Sequence, residues 1–284
     1  MGQWKELRRA QVRHTARLML AAQRRLPWVR PWLAKLGASP AVDEALVGYR
    51  RGFATRAQAE SRVRREGSIG HQDPRAIALH RGFEEALRPS DHDAIAHLRT
   101  ILPDVKRVVD IGGSVGNIYY LYSKHMEFPP DLEWVVCELG ESVKHGRKLA
   151  ADRGETRLRF EHGLDRCGPA DLALFSGSLH YFDDPLPEFL RQLGELPRYV
   201  LVNRSPVAEA ESLFAVQDAG EWLTAAKVLQ RSALLAEMRG AGYSLTAEWA
   251  CPELNVRFPL HPWNSAEQYS GFLFERTQGS TQAS

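Results

Sequence analysis

Three stretches of the 284-residue chain carry the turns and side chains needed to hold and act on a ligand. The first is Val108-Val109-Asp110-Ile111-Gly112-Gly113-Ser114-Val115-Gly116-Asn117, a β-branched run with an acid two residues before the first of three glycines. Glycines there permit left-handed backbone angles and let a ligand approach the main chain. A tight strand-to-helix turn without a ligand would use the same glycines, but its place after the first strand of an alternating pattern favours binding. The second is Glu138, an acid closing the apolar run Trp134 to Cys137, 22 residues after Gly116. The third is Ser176-Gly177-Ser178-Leu179-His180-Tyr181. An imidazole titrates near neutrality, so His180 is the candidate general base, with a hydrogen-bonded structural histidine as the rival reading. Asn203 and Arg204 follow another apolar run and are candidates to orient a polar or anionic acceptor; Arg204 also reads as a surface ion-pair partner. His261, within Phe258-Pro259-Leu260-His261-Pro262-Trp263, is a further candidate on the acceptor side. Tyr119, Tyr120 and Tyr181 offer aromatic faces to a cation, although Tyr119 and Tyr120 cannot both face one ligand from a helix.

The elements that must position these residues alternate from residue 104 onward. Strands are expected at Arg107 to Ile111, Trp134 to Cys137, Leu158 to Phe160, Asp171 to Phe175, Tyr199 to Val202, Ser244 to Trp249 and Gly271 to Phe274. Helices are expected at Val115 to Met126, Ser142 to Ala151, Pro185 to Leu196 and Leu223 to Arg239. Strands alternating with helices imply a mostly parallel sheet covered on both faces. Ligands of such sheets sit at the carboxyl ends of the strands, near the point where strand order reverses. Residues 1–103 read as an all-helical appendage. Thr55 with Gln58, Asp73-Pro74 and Ser90 with Asp93 are helix starts. Residues 104–276 form the ligand-binding domain, and 277–284 a frayed polar tail.

The glycine spacing excludes two common cofactor loops. Gly-x-Gly-x-x-Gly of nicotinamide and flavin enzymes is absent, and so is the phosphate loop with its Gly-Lys pair. The Asp110 to Gly116 segment instead resembles motif I of the class I S-adenosylmethionine-dependent methyltransferases, an acid followed by Gly-x-Gly-x-Gly. It departs at Ser114, which stands where the middle glycine is usual. The segment from Ser176 to Tyr181 resembles motif IV of the same superfamily. Tyr49 to His71, with its Gly52-Phe53, taken with these motifs, resembles a family of bacterial methyltransferases associated with surface-polysaccharide and natural-product gene sets.

The resemblance implies a Rossmann-like α/β fold whose last strand is antiparallel, and S-adenosyl-L-methionine as cofactor. It implies that Glu138 receives the ribose hydroxyls and that Asp110, Gly112, Gly113, Ser114 and Gly116 shape the methionine and ribose site. Leu164 and Asp165 would lie at the adenine, and Ser176 and Gly177 beside the methionine portion. His180, Tyr181 and Asn203 become the candidate catalytic residues, and the appendage is expected to cover the cofactor. Methyl transfer is an in-line displacement on an activated sulfonium, so alignment and desolvation matter most, and a base is needed only where the acceptor keeps a proton. The expected acceptor is a small molecule or glycan. Two rivals stay open. One is a cyclase in which the cofactor's own amine attacks its side chain and methylthioadenosine leaves; the other is a non-catalytic cofactor-binding scaffold.

Composition sets the remaining bounds. Hydrophobic residues make up 44% and charged residues 25% of the chain, which suits a globular protein and excludes disorder. No apolar run approaches the roughly 20 residues of a membrane helix, and Leu18 to Ala22 is too short for a signal-peptide core, so a cytoplasmic protein is expected. Cys137, Cys167 and Cys251 lie far apart in sequence, without metal-ligand spacing, and read as free thiols rather than a zinc or disulfide framework. Charge is uneven. Residues 1–100 hold 19 Lys and Arg against 10 Asp and Glu, whereas residues 101–284 hold 18 against 25. The basic excess lies in the first helices, with no recognisable nucleic-acid motif, and no nucleic-acid partner is expected. A weak peripheral contact with an anionic membrane is one reading of this basic N-terminus; a helix packed on the main domain with a solvated Arg face is the other.

Overall fold

A computed structural model describes residues 25–37, 49–65, 86–218, 223–258 and 264–276, with isolated positions between 7 and 23. The chain divides into two compact units. His261, Asp73-Pro74 and the tail lie outside the described residues.

The larger unit comprises residues 72–205, 232–253 and 270–284. Its sheet is built from β2 (Arg107–Ile111), β3 (Glu133–Cys137), β4 (Leu158–Glu161), β5 (Leu172–Ser176), β6 (Tyr199–Ser205), β10 (Tyr243–Cys251) and β11 (Tyr269–Arg276). Their order is β10-β11-β6-β5-β2-β3-β4. The five strands from β2 to β6 run parallel, and β11 runs antiparallel to β6. Val108, Val109, Trp134, Val135, Leu172, Val200 and Leu201 are fully buried, as continuous apolar runs are in a sheet covered on both faces. Helices α3 (Pro89–Ile101), α4 (Asn117–Tyr122), α5 (Gly140–Asp152), α6 (Leu186–Leu190) and α7 (Arg231–Gly240) complete this unit. Helix α3 begins one residue before the expected Ser90. Asp91, not Asp93, caps it by accepting the Arg88 N–H at 2.9 Å. Strand order reverses between β2 and β5, so the segments after Ile111 and Ser176 flank the switch point.

The smaller unit comprises residues 1–71, 206–231 and 254–269. It is not purely helical. β1 (Tyr49–Phe53), β7 (Val207–Ala208), β8 (Leu213–Asp218) and β9 (Leu223–Gln230) form a sheet in the order β1-β8-β9-β7. Beside α1 (Arg30–Gly37) the unit holds α2 (Arg56–Arg65), whose Ala59 packs against Phe53, Phe214 and Ala225. The Thr55 cap is present, its Oγ1 accepting the Gln58 N–H at 3.4 Å. Two expectations are corrected here. Residues 1–103 are not an all-helical module, because Tyr49 to Phe53 pairs antiparallel with β8. The expected helix from Leu223 to Arg239 is a strand as far as Gln230 and a helix only from Arg231. Leu223-Thr-Ala-Ala-Lys-Val-Leu has the composition of a helix, but pairing with β8 and the small Ala225 beneath α2 override that propensity.

Candidate active site

The glycine loop leaves β2 at Ile111. Gly112 takes φ 74° and donates its N–H to the Cys137 carbonyl at 2.9 Å. A Cβ on Gly112 would overlap Ser178, whose hydroxyl donates to the Ile111 carbonyl. The loops after β2 and β5 are thereby locked together, which explains the glycine at this position. A Cβ on Gly113 would overlap the Asp110 carboxylate. Gly116, at φ 90°, faces Leu158 and Phe160 and stands at the N-terminus of α4. Ser114 takes φ 56° in place of the usual glycine, and its N–H donates to Glu138 Oε2 at 3.0 Å.

Asp110 is 0% exposed. Its Oδ2 accepts the Trp134 indole N–H at 3.3 Å, and its Oδ1 has no hydrogen-bond partner among the described residues. Burial pushes its pKa up to about 7; the Trp134 hydrogen bond opposes the rise and the Glu138 charge adds to it. Glu138 is also raised by burial, against hydrogen bonds from the Leu139 and Ser114 N–H groups. Each of its oxygens accepts a main-chain N–H: Oε2 takes that of Ser114 in the glycine loop, and Oε1 takes that of Leu139, the next residue in the chain, at 2.7 Å. Cys137, one residue earlier, shares a hydrogen bond with Cys167, which lowers the Cys137 pKa and raises that of Cys167. Tertiary structure therefore brings together two thiols that lie 30 positions apart in the chain.

Beyond β4, Leu164 is buried in a short 3-10 turn that follows Gly163 at φ 105°, and Asp165 is exposed within the same turn. Ser176, the last residue of β5, and Gly177 after it are half-buried. Gly177 holds φ 79°, and among the described residues, its chain neighbours apart, no atom lies within 4 Å of where its Cβ would stand. His180 is 2% exposed in the turn Leu179–Tyr181, its ring centroid 4.1 Å from that of Tyr181.

The structure corrects the expectation for Asn203. It is fully buried and committed: its amide donates to the Ser90 carbonyl at 3.4 Å, while its Oδ1 accepts the Trp249 indole N–H at 3.0 Å and the Cys251 thiol at 3.5 Å. Asn203 is a strut of the fold. Arg204 is not a surface ion pair either. It is 4% exposed and reaches Asp91 Oδ1 at 2.7 Å. Burial opposes its charge, but Tyr122 and Asp91 hold its pKa above the ordinary value. Tyr122, not singled out in the sequence, donates to the same Asp91 oxygen at 2.7 Å. Tyr119 and Tyr120 both serve packing. Tyr119 packs tilted against Phe128 and edge-to-face against Trp134, and Tyr120 lies under the Arg153 guanidinium at 4.1 Å. The missed partners Asp91, Tyr122, Trp134 and Ser178 share one trait: each acts through a contact at least 24 residues away in sequence.

The sheet order, the antiparallel β11 and a glycine loop at the end of β2 together define the fold of class I S-adenosylmethionine-dependent methyltransferases. No family model matches the chain, and no curated protein matches it. Among solved structures, the 1,6-didemethyltoxoflavin-N1-methyltransferase of Burkholderia thailandensis, with 1,6-didemethyltoxoflavin and S-adenosylhomocysteine bound, is 16% identical. That match covers 80% of this chain and 92% of that one at a TM-score of 0.51. A looser likeness, at a TM-score of 0.47, is to CalS10, an amino pentose methyltransferase from Micromonospora echinaspora. It is 14% identical over 70% of this chain and 95% of that one.

Proposed function

We propose that this protein is a cytoplasmic S-adenosylmethionine-dependent methyltransferase acting on a small molecule or glycan. The observation that carries the reading is Asp110 Oδ1, a buried carboxylate oxygen with no partner among the described residues, beneath a glycine loop at the switch point of this sheet. A buried acceptor of this kind is costly unless it takes up a proton, as the raised pKa of Asp110 favours, or a ligand donates to it. The other residues fit the same group. Gly177 leaves open space beside the main chain, and Glu138 is held at the loop by two N–H groups with lone pairs to spare for a ribose. When bound, S-adenosylmethionine supplies a methyl group already activated on a sulfonium. The chain's residues then have three tasks. Asp110, Gly112, Gly113, Ser114, Gly116, Ser176 and Gly177 hold the amino-acid and ribose end, and Leu164 and Asp165 border the adenine. Tyr181 presents an aromatic face to the sulfonium. His180 removes the acceptor proton where the acceptor is a hydroxyl.

Calorimetry with S-adenosylhomocysteine and with NAD tests the cofactor. Tighter binding of S-adenosylhomocysteine is expected, and Glu138→Ala should weaken it by about 1.5–3 kcal/mol, the worth of charge-assisted hydrogen bonds. Tighter binding of NAD would overturn the assignment.

A second reading concerns the N-terminal segment. We propose that it rests on an anionic membrane surface. Trp28 and Trp32, one helical turn apart, are 74% and 64% exposed, and Leu36 continues their stripe. Arg25, Arg30 and Lys35 flank them, and residues 1–40 hold nine Lys and Arg against one acid. Exposed tryptophans beside basic residues suit the headgroup region. Among the described residues no helix is long and apolar enough to cross a membrane.

A further inference from the structure

Regular alternation along β6 would turn Asn203 and Arg204 to opposite faces of the sheet. The strand departs from it there. Val202 faces Phe272 and Ser205 faces Ser270, so two residues of β6 oppose the single Gly271 of β11. This is a β-bulge, a device that re-aims side chains beside active sites. Within it Arg204 takes φ 58°, a left-handed angle that a non-glycine residue keeps only when its surroundings impose it. The surroundings do so. A Cβ on Gly271 would overlap the Trp249 indole, which fills that space and holds Asn203, while Asp91 and Ser90 fix Arg204 Nη1 at 2.7 and 3.4 Å. Asp91 is itself held by the Tyr122 hydroxyl and the Arg88 N–H, and Ser90 by Glu253.

A guanidinium so fixed presents its other nitrogen, Nη2, to Ser176 Oγ at 2.5 Å. A guanidinium only donates, so Ser176 must accept, and its one hydroxyl proton is directed elsewhere. Ser176 is half-buried, and Gly177 beside it borders space that no described residue beyond its chain neighbours fills. The geometry points to Arg204 as a positioning residue that fixes Ser176 as a hydrogen-bond donor, toward a carboxylate of the bound ligand. This rests on the methyltransferase reading, in which the carboxylate is that of the S-adenosyl amino acid. A hydroxyl polarised by a neighbouring cation suits an anionic oxygen, because charge-assisted hydrogen bonds are the strong ones.

The test compares two ligands that share a nucleoside. S-Adenosylhomocysteine carries the carboxylate, whereas methylthioadenosine lacks it. Ser176→Ala and Arg204→Lys should each weaken S-adenosylhomocysteine about tenfold, since a lysine cannot serve Asp91 and Ser176 from one planar fork. Both should leave methylthioadenosine within about twofold, and the double variant should bind no worse than Ser176→Ala alone. Additive losses, or equal losses for both ligands, would overturn the inference. Should Arg204→Lys fail to fold, NMR of the Arg204 guanidinium in the unsubstituted protein decides. Its Nη resonances should shift on saturation with S-adenosylhomocysteine and lose that response in Ser176→Ala; unmoved resonances overturn the inference. If the unsubstituted protein binds no S-adenosylhomocysteine, the cofactor reading fails first and the inference with it. Binding without coupling between the two residues sinks the inference alone.

Discussion

Asp110 is a carboxyl group buried completely between β3 and β5, with Glu138 and Arg204 as its nearest charged influences. Its pKa near 7 has a consequence for stability. In the unfolded chain an aspartate titrates near 3.9, so between about pH 4 and 7 the folded protein binds the extra proton. The group's contribution is therefore present in full below about pH 4 and is lost as pH rises through 7. Asp110→Asn removes the titration while keeping the shape. Urea midpoints at pH 5, 6 and 7 should fall with rising pH in the unsubstituted protein. In the variant the slope should be flatter, by at most about 1.4 kcal/mol per pH unit. Parallel pH profiles in the two proteins would show that Asp110 is already ionised.

Two elements carry expectations of their own. The bulge in β6 depends on Gly271, because any Cβ there overlaps the Trp249 ring that anchors Asn203. Gly271→Ala should cost about 1–3 kcal/mol through overpacking, read from denaturant unfolding, and an unchanged midpoint would mean that Trp249 moves aside freely. Helix α1 turns Leu33 inward and leaves Trp32 outward, and Trp28 is exposed in the 3-10 turn Pro27–Val29 before it. The protein should sediment with phosphatidylglycerol vesicles and not with phosphatidylcholine, and tryptophan emission should shift to the blue on binding. Replacing Trp28 and Trp32 by Ser should abolish sedimentation; a double variant that still binds removes the membrane reading.

At the scale of the whole molecule the question is the reaction. With S-adenosylmethionine alone, a methyltransferase should yield almost no product, since displacement needs a second nucleophile aligned with the methyl group. With the right acceptor it should yield S-adenosylhomocysteine, and His180→Ala should slow single turnovers while leaving affinity for S-adenosylhomocysteine unchanged. Mass spectrometry of acceptor-free incubations decides between the rivals. Enzyme-dependent methylthioadenosine well above spontaneous breakdown would favour the cyclase, and no turnover across an acceptor panel would favour the scaffold.

The residues that touch their neighbours along the chain were legible from the sequence. The β-branched run before Gly112, the glycines themselves, the acid at the end of β3 and the Ser-Gly-Ser turn are local patterns, because strand propensity, positive φ and ligand access are local demands. They were enough to indicate an α/β sheet and the edge of it where ligands of such sheets are expected. What the sequence could not show were the contacts made across the sheet. Leu223 to Gln230 reads as a helix by composition, and only pairing with β8 makes it a strand. Asn203 and Arg204 read alike as polar residues after a strand, yet one bulge, set by a glycine about 70 residues later, ties one to Trp249 and the other to Asp91 and Ser176. Tertiary structure decided these roles because a side chain's partner depends on which strands lie side by side, and strand order is a property of the whole sheet.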